Sequence, residues 1–280
     1  MTTVNLKDWI GRTQRVEDEL SPWTSAAVAA MLDRKELDTQ GGASLRPLWQ
    51  WFYFLGTVSQ EELGSDGHPK RGGFMPPVPL PRRMFAGARM EFHAPLVLGQ
   101  PASRIATIKD VKEKSGRSGK LAFVTVNYEL RQKETLCITE EQDIVYKEPG
   151  APVSAPKPIP LPEVPAGSWS RDVRVDSRML FRFSALTFNA HRIHYDRPYA
   201  QTEEGYPGLV VHGPLTAVLL ADLVHTHTTR PIRSFSFRGK APLFDLSPFR
   251  LQGHLNGDSV TLEAFGPDGN VTLSAVAGLG

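Results

Sequence analysis

Hydrophobic and polar residues alternate along much of this chain, and the alternation gathers into two blocks. In the first, Met84–His93, Arg104–Lys112, Leu121–Arg131 and Leu136–Tyr146 read as strands. Val124, Val126, Tyr128 and Leu130 are separated by polar or small neighbours, which is the period of a strand buried on one face. In the second block Val173–Phe183, Ile232–Phe237, Phe249–His254, Ser259–Phe265 and Val271–Ala277 read as strands. Gly257-Asp258 and Asp268-Gly269 supply turns between them.

Each block also carries a helical pattern. Ser21 and Pro22 suit the cap and first position of a helix running through Trp23–Leu32, which is rich in alanine. After Gly213, Leu215, Val218, Leu219 and Leu223 with the intervening alanines make a helix apolar nearly all round, and therefore buried. The apolar run Leu48–Leu55 is too short to assign, and a glycine- and proline-rich loop follows around Gly64–Pro81. Between the blocks, EPGAPVSAPKPIPLPEVPAG (Glu148–Gly167) places proline every two to four residues. That spacing blocks helix and central strand and favours extended polyproline II geometry. The predicted organisation is an N-terminal domain over 1–148, a proline-rich linker over 149–167 and a C-terminal domain over 168–280. The predicted class is α+β, with a curved antiparallel sheet wrapped around one helix in each half.

Composition narrows the function classes. A length of 280 residues accommodates two domains of ordinary size. A formal charge of +2 gives no global field that would select nucleic acid or an anionic membrane. The single cysteine, Cys137, excludes an internal disulfide and a thiolate metal cluster. Met1–Glu19 mixes Lys7, Arg12 and Arg15 with acids and lacks a sustained apolar core, so neither a signal peptide nor a membrane anchor is expected there. A reducing cytoplasm is the expected location.

Reactive side chains are densest in FSALTFNAHRIHYDRP, Phe183–Pro198, where Asn189, His191, Arg192, His194, Tyr195 and Asp196 crowd together. The segment GYPGLVVHGP, Gly205–Pro214, leads from there straight into the apolar helix. Histidine exchanges protons near neutral pH, and the first N–H groups of a helix point outward without intrahelical acceptors. A base on one loop and such an N–H at Gly213 are two parts that enolate chemistry requires. Each residue also has a plainer reading. His194 alone could be a satisfied loop histidine, His191 a structural hydrogen-bond partner, and Arg192 a solvated charge. His191 and His194 are spaced to share a metal, but no third ligand is evident and none is expected. The His225–His227 stretch reads as a polar helix end.

These segments resemble the MaoC-like (R)-specific enoyl-CoA hydratases and dehydratases, which have the hot-dog fold. Their signature, F-S-x-x-T/G-x-D-x-N-P-x-H, is matched here by Phe183, Ser184, Thr187 and His194. Asn189 stands at its aspartate, His191 at its asparagine and Arg192 at its proline. His212-Gly213 is similar to the family's His-Gly pair before the central helix. GGFMPPVPLPRRMFAGARMEFHAPL, Gly72–Leu96, resembles the FAS1-like dehydratase subgroup, so the likeness covers nearly the whole chain.

The resemblance implies a double hot-dog fold and reversible addition of water to an enoyl-CoA thioester. It implies His194 as acid/base, Asn189 as water-positioning partner and Gly213 as oxyanion donor. His191, Arg192, His212, Arg238 and Lys240 are the candidate substrate contacts. Arg192 is the candidate clamp for a free carboxylate, while Arg82-Arg83, Arg233, Arg238 and Lys240 are candidates for CoA phosphates. The aromatic run Trp49–Phe54 is core or the wall of an acyl tunnel. The first half carries no matching acid/histidine motif, so one site per chain is expected. The expected substrate is a short dicarboxylyl-CoA such as mesaconyl-C4-CoA or itaconyl-CoA. Alternatives are a 3-hydroxyacyl-thioester dehydratase acting on CoA or acyl carrier protein, a thioesterase, and a non-catalytic acyl-CoA-binding protein. No cofactor beyond the CoA of the substrate is expected, nor a nucleic-acid or membrane partner, and a homodimer is the expected assembly.

Overall fold

The computed structural model describes residues 4–116, 119–161 and 163–280. Residues 1–3 and 117–118 of the predicted N-terminal domain and Pro162 of the predicted linker lie outside them. Among the described residues, ten strands form one fully antiparallel sheet: β1 (Thr13–Asp18), β2 (Arg82–Phe92), β3 (Ala102–Gly116), β4 (Gly119–Gln132), β5 (Thr135–Lys147), β6 (Ser168–Val173), β7 (Ile232–Gly239), β8 (Phe249–Asn256), β9 (Ser259–Phe265) and β10 (Val271–Leu279). Their order is β1-β3-β4-β5-β2-β7-β10-β9-β8-β6. The β2–β7 pair, from Gly87↔Arg238 to Glu91↔Ser234, is the seam between the halves. Gly87 sits at a bulge in β2, and a Cβ there would lie 2.3 Å from the Phe237 carbonyl oxygen. A side chain at that point would force the seam apart.

Four α-helices among the described residues accompany the sheet: α1 (Pro22–Met31), α2 (Ser177–Leu186), α3 (Arg197–Thr202) and α4 (Gly213–His227). As the pattern predicts, α4 is buried on all sides from Leu215 to Val224 and packs on β6, β8, β9 and β10. The inward positions of those strands are apolar, among them Phe249, Leu251, Val260, Leu262, Ala275 and Ala277.

The first half departs from the expected copy of this arrangement. Helix α1 has only ten residues and packs on α2 rather than lying along its own strands. Its Pro22 is at the predicted position, but Ser21 makes no side-chain cap bond. The run Leu48–Leu55 contains a 3₁₀ helix, Trp49–Phe52, seated on β5 through bonds from Gln50 and Trp51 to Glu140 and on β2 through Gln50 to Met90 Sδ. One apolar core runs through both halves, joining Val28, Phe52 and Leu98 to Phe183, Leu219 and Leu262. A smaller core around Ile108, Val124, Val126 and Tyr146 stays within the first half.

Two further differences have local causes. Val173–Phe183 is not a strand: β6 ends at Val173, and Asp176 then accepts from the N–H groups of Arg178 and Met179, which starts α2. The proline-rich stretch carries no helix or strand among its described residues, yet it is fastened to the second half. Val153 N–H donates to the Gly205 carbonyl and Ile159 N–H to that of Pro267.

Asp222 is the exception on the apolar helix. Only 5% exposed, it accepts from Arg34 at 2.7 Å and from Arg171 at 2.7 Å, tying the chain beyond α1 and strand β6 to α4. Removing it leaves two guanidinium groups without their partner in a half-buried setting. Asp222→Ala is expected to lower unfolding free energy by about 3 kcal/mol, the scale for breaking a buried ion pair. Urea titration would measure it, and a loss near zero would show that the triad contributes nothing net.

Candidate active site

The last turn of α2 sets the geometry of the reactive segment. Asn189 N–H donates to the Ser184 carbonyl at 2.8 Å and Phe188 N–H to that of Ala185 at 3.2 Å, a Schellman ending. The left-handed residue is Phe188, at φ +49, where glycine would be easier. This turn places Asn189 beside the cavity, with its Oδ1 accepting from His191 N–H at 3.0 Å. A short 3₁₀ turn, Arg192–His194, follows, and Asp196 then caps α3 by accepting from Tyr199 N–H.

His194 is 7% exposed, and its Nδ1 lies 2.7 Å from the Val210 carbonyl oxygen. A carbonyl only accepts, so Nδ1 carries the proton and Nε2 holds a lone pair. Val210 is held in place in turn: its N–H donates to the Ile193 carbonyl, and it bridges to Phe244. The His212 ring stacks on that of His194 at 3.6 Å and 19°, and its Nε2 lies 2.9 Å from Ser184 Oγ. His212 also precedes Gly213, the first residue of α4, whose N–H has no acceptor within the helix.

The first half supplies residues that the sequence reading did not anticipate. Loop residues Asp66 and His68 approach the reactive segment, with the His68 ring 4.0 Å from that of His191. Gly67 makes this approach possible: at φ +88, a Cβ there would sit 1.8 Å from the Ala190 carbonyl oxygen. The Asp66 carbonyl accepts from Arg192 N–H at 2.9 Å, while His68 Nδ1 lies 3.1 Å from the Asp66 carboxylate. Asp66, His68 and His191 bring one ligand atom each within 4.8 Å of one another. Donor type and spacing there suit a cation, but the Asp66–His68 bond already occupies two of the three. The only local cue in the sequence is a polar triplet within a loop of glycines and prolines, and nothing in it points to His191.

Most of these groups border a cavity of about 750 Å³ walled by both halves. Asn189, His191, His194, His212 and Gly213 line it together with Asp66, His68, Trp51, Phe85, Tyr128 and Leu243. Trp51, Tyr53 and Phe54 border the cavity, while Trp49, Phe52, Tyr53 and Phe54 all belong to the core. Lys240 is exposed and borders the cavity, as do Arg82 and Arg83. Two predicted contacts lie elsewhere. Arg192 is not part of the wall: its guanidinium pairs with Asp196 at 2.8 Å and covers the Tyr199 ring at 4.0 Å. Arg238 is exposed on β7 at the seam and also lies off the cavity. An aspartate four residues further along captured Arg192, and the alternation of β7 turned Arg238 outward.

Burial governs the protonation of the cluster. It pushes His194 down to about 4, partly opposed by the Val210 carbonyl, and lowers His191 and His212 further because their neighbours are also histidines. Burial lowers His68 as well, against the pull of Asp66. Burial alone would raise Asp66, but its hydrogen bonds with His68 hold it well below the usual carboxylate range. At neutral pH the site therefore holds neutral imidazoles, with Asp66 as an anion beside them.

The same burial sets the acid stability. A histidine whose pKa is lower folded than unfolded leaves the unfolded chain binding more protons, so stability is full above about pH 6.5 and falls with pH from there. His225, pushed down to about 4 by burial, adds to this. The thermal midpoint is expected to drop between about pH 6.5 and 5, before most carboxylates titrate. Calorimetry across that range would test it, and a midpoint flat to pH 5 would contradict the neutral cluster.

With this geometry in hand, three comparisons bear on the chain's relationships. A model of the family described as hydroxyacyl-thioester dehydratase type 2 matches residues 48–245, crossing both halves. Mesaconyl-C(4)-CoA hydratase of Chloroflexus aurantiacus is 61% identical over 280 residues, covering 100% of each chain. The mitochondrial hydroxyacyl-thioester dehydratase type 2 of Schizosaccharomyces pombe is 28% identical over 74% of this chain and 77% of its own. Among solved structures, HtdX of Mycobacterium tuberculosis aligns at TM-score 0.65 and 18% identity, over 96% of this chain and 100% of that one. A MaoC-like dehydratase from Phytophthora capsici aligns at 0.67 and 13%, over 99% and 98%. A further Mycobacterium tuberculosis protein described as a double hotdog aligns at 0.61 and 14%, over 97% and 96%. The structures establish the α+β double hot-dog architecture, and the family model and full-length identity establish descent: the chain belongs to the hydroxyacyl-thioester dehydratase type 2 family.

Proposed function

We propose that this enzyme adds water reversibly to the double bond of a short dicarboxylyl-CoA, mesaconyl-C4-CoA or a close analogue, with His194 as its acid/base residue. The observation that carries the chemistry is the bond from His194 Nδ1 to the Val210 carbonyl, which leaves Nε2 a lone pair inside the cavity. The full-length identity to mesaconyl-C(4)-CoA hydratase supports the choice of substrate. The chain is a hydro-lyase on the same ground and on that of its family.

In this reading water sits between His194 Nε2 and the Asn189 amide. Nε2 takes a proton as the water oxygen bonds to the β-carbon. The π electrons move toward the thioester oxygen, whose growing negative charge is met by the Gly213 N–H at the positive end of α4. The imidazolium then returns its proton to the α-carbon on the same face. The proton that His194 takes from water is the one it returns, so the step balances with substrate and water alone and calls for no cofactor beyond the CoA of the substrate.

Asn189 replaces a carboxylate that would have favoured the imidazolium. The charge available instead is Asp66, which acts on His191 and His68 from the first half. His212, stacked beneath His194 and bonded to Ser184, holds the ring rather than the proton. Lys240 and Arg82 border the cavity where the phosphates of CoA would arrive, although Arg82 is already paired with Glu204. Dehydration of a 3-hydroxyacyl thioester is the same step reversed, and the family description favours it as a second activity.

The decisive measurement is product mass after incubation with mesaconyl-C4-CoA. One added water with the thioester intact supports the proposal, whereas free CoA would make the protein a thioesterase and unchanged substrate would overturn the reading. His194→Ala is expected to lower kcat by at least about 100-fold, the usual range for a lost general acid/base. Because the base is unprotonated down to about pH 4, kcat/KM should hold nearly level from pH 8 to 6. Asn189→Asp places a carboxylate by the imidazole, which favours its charged form, so the acid limb should move upward toward about 6.5. Initial rates taken immediately after pH jumps would test both expectations, and a limb that does not move in Asn189→Asp would separate residue 189 from His194.

A further inference from the structure

We infer that Arg104 and Arg83, with the Tyr128 hydroxyl beside them, form the receptor for the free carboxylate of a dicarboxylyl substrate. This rests on the proposed reaction and adds to it the residues that choose the acyl group.

Arg104, on β3, lines the cavity, and its buried Nε has no hydrogen-bond partner. Its guanidinium lies 5.3 Å from the Tyr128 ring centroid and 5.9 Å from that of Phe54. Aromatic faces attract a cation but cannot accept the planar fork of hydrogen bonds that a guanidinium offers. The acid within electrostatic reach, Glu140, does not fill the role. It is 2% exposed and already accepts from Gln50, Trp51 and Gln142. Burial raises its pKa, which weakens its hold on a proton-free charge. A buried donor left unsatisfied is costly, and an incoming carboxylate would remove that cost.

Arg83, on β2, also borders the cavity and has no carboxylate partner among the described residues. It is close enough to act on His68, His191 and Tyr128, and Arg104 acts on Tyr128 as well. The two cations and the phenol therefore share one region of the first half's sheet face, reached from the catalytic loop of the second half. Of the two carboxylates lining the cavity, Glu204 belongs to Arg82 and Asp66 to His68, so neither competes for the pair.

The substrate chemistry matches this placement. In mesaconyl-C4-CoA the free carboxylate is attached to the β-carbon, the atom that water attacks. A thioester held at Gly213 with its β-carbon near His194 directs that carboxylate onward, away from α4 and into the first half. A guanidinium there binds the anion and offsets the repulsion between it and the approaching hydroxyl oxygen. Arg192, the candidate suggested by the sequence, is occupied by Asp196.

Calorimetric titration with succinyl-CoA and butyryl-CoA tests this without requiring turnover, because succinyl also carries its carboxylate on the β-carbon and butyryl is neutral. The native enzyme should bind succinyl-CoA at least about tenfold more tightly. Arg104→Met should erase that preference and Arg104→Lys should recover part of it, with far-UV circular dichroism confirming that each variant is folded. In turnover, the ratio of kcat/KM for mesaconyl-C4-CoA over crotonyl-CoA should fall about 100-fold in Arg104→Met, the scale of a charge-assisted bidentate pair. Equal loss on charged and neutral acyl groups, as a CoA-phosphate contact would give, would overturn the inference, as would a preference that survives the substitution. If Arg104→Met failed to fold, Arg83→Met would take its place in the titration, with the same two outcomes. A native enzyme that prefers succinyl-CoA yet hydrates nothing would instead defeat the proposed reaction while leaving the receptor standing.

Discussion

The proposed chemistry depends on one hydrogen bond, from His194 Nδ1–H to the Val210 carbonyl. A neutral imidazole is a base at one nitrogen and a donor at the other, and the partner of the donor decides which is which. In many sites that partner is a carboxylate, which fixes the ring and also supports its charged form. A carbonyl fixes the ring with less electrostatic support, so burial prevails and His194 stays neutral well below pH 6.5. The bond is as firm as Val210, and Val210 is held by the Ile193 carbonyl on one side and Phe244 on the other. The short segment before α4 therefore orients the base and presents Gly213 within a few residues.

The second constraint is the cost of keeping four histidines out of water. His68, His191, His194 and His212 form a chain of ring contacts at 4.0, 5.4 and 3.6 Å, and in every one burial disfavours the charged form. Stacked neutral rings pack as aromatic surface, whereas two adjacent imidazolium ions would repel strongly. The cluster can thus accommodate a single added proton, as one turnover requires. Asp66 stands at the far end of that chain, and Gly67 allows the loop that carries it to reach the reactive segment.

The legible parts of the sequence were those with local causes. Strands β2 to β5 and β7 to β10 follow period-two alternation to within a few residues, and α4 follows from its continuous apolar surface. The reactive loop was legible because its residues are contiguous, from Asn189 to His194. Helix α2 was misread because Val173–Phe183 is apolar enough for either element, and only the Asp176 cap decides between them. The Asp66–His68 approach and the Arg104 position were not legible at all. Each follows from the register of distant strands and from the loop geometry at Gly67, which a single sequence does not encode locally. Arg192 lies off the cavity for the opposite reason: a partner at i+4 holds it within its own turn.

The proposal places the chemistry on one half of a double fold, and the other half is built differently. Helix α1 is drawn toward α2, and a short 3₁₀ helix covers β2 and β5 in place of a long apolar one. The strand faces left open carry Arg83, Arg104, Tyr128 and Gln142, polar groups that a packed core could not hold without partners. Under the proposed function the second half carries what any enoyl thioester would need: a base at His194, an amide for water at Asn189 and the N-terminus of α4. On the same proposal, selectivity for the acyl group falls to the half whose helix does not lie along its sheet. The β2–β7 seam holds the two functions in fixed register, because Gly87 lets the strands that carry them pair directly.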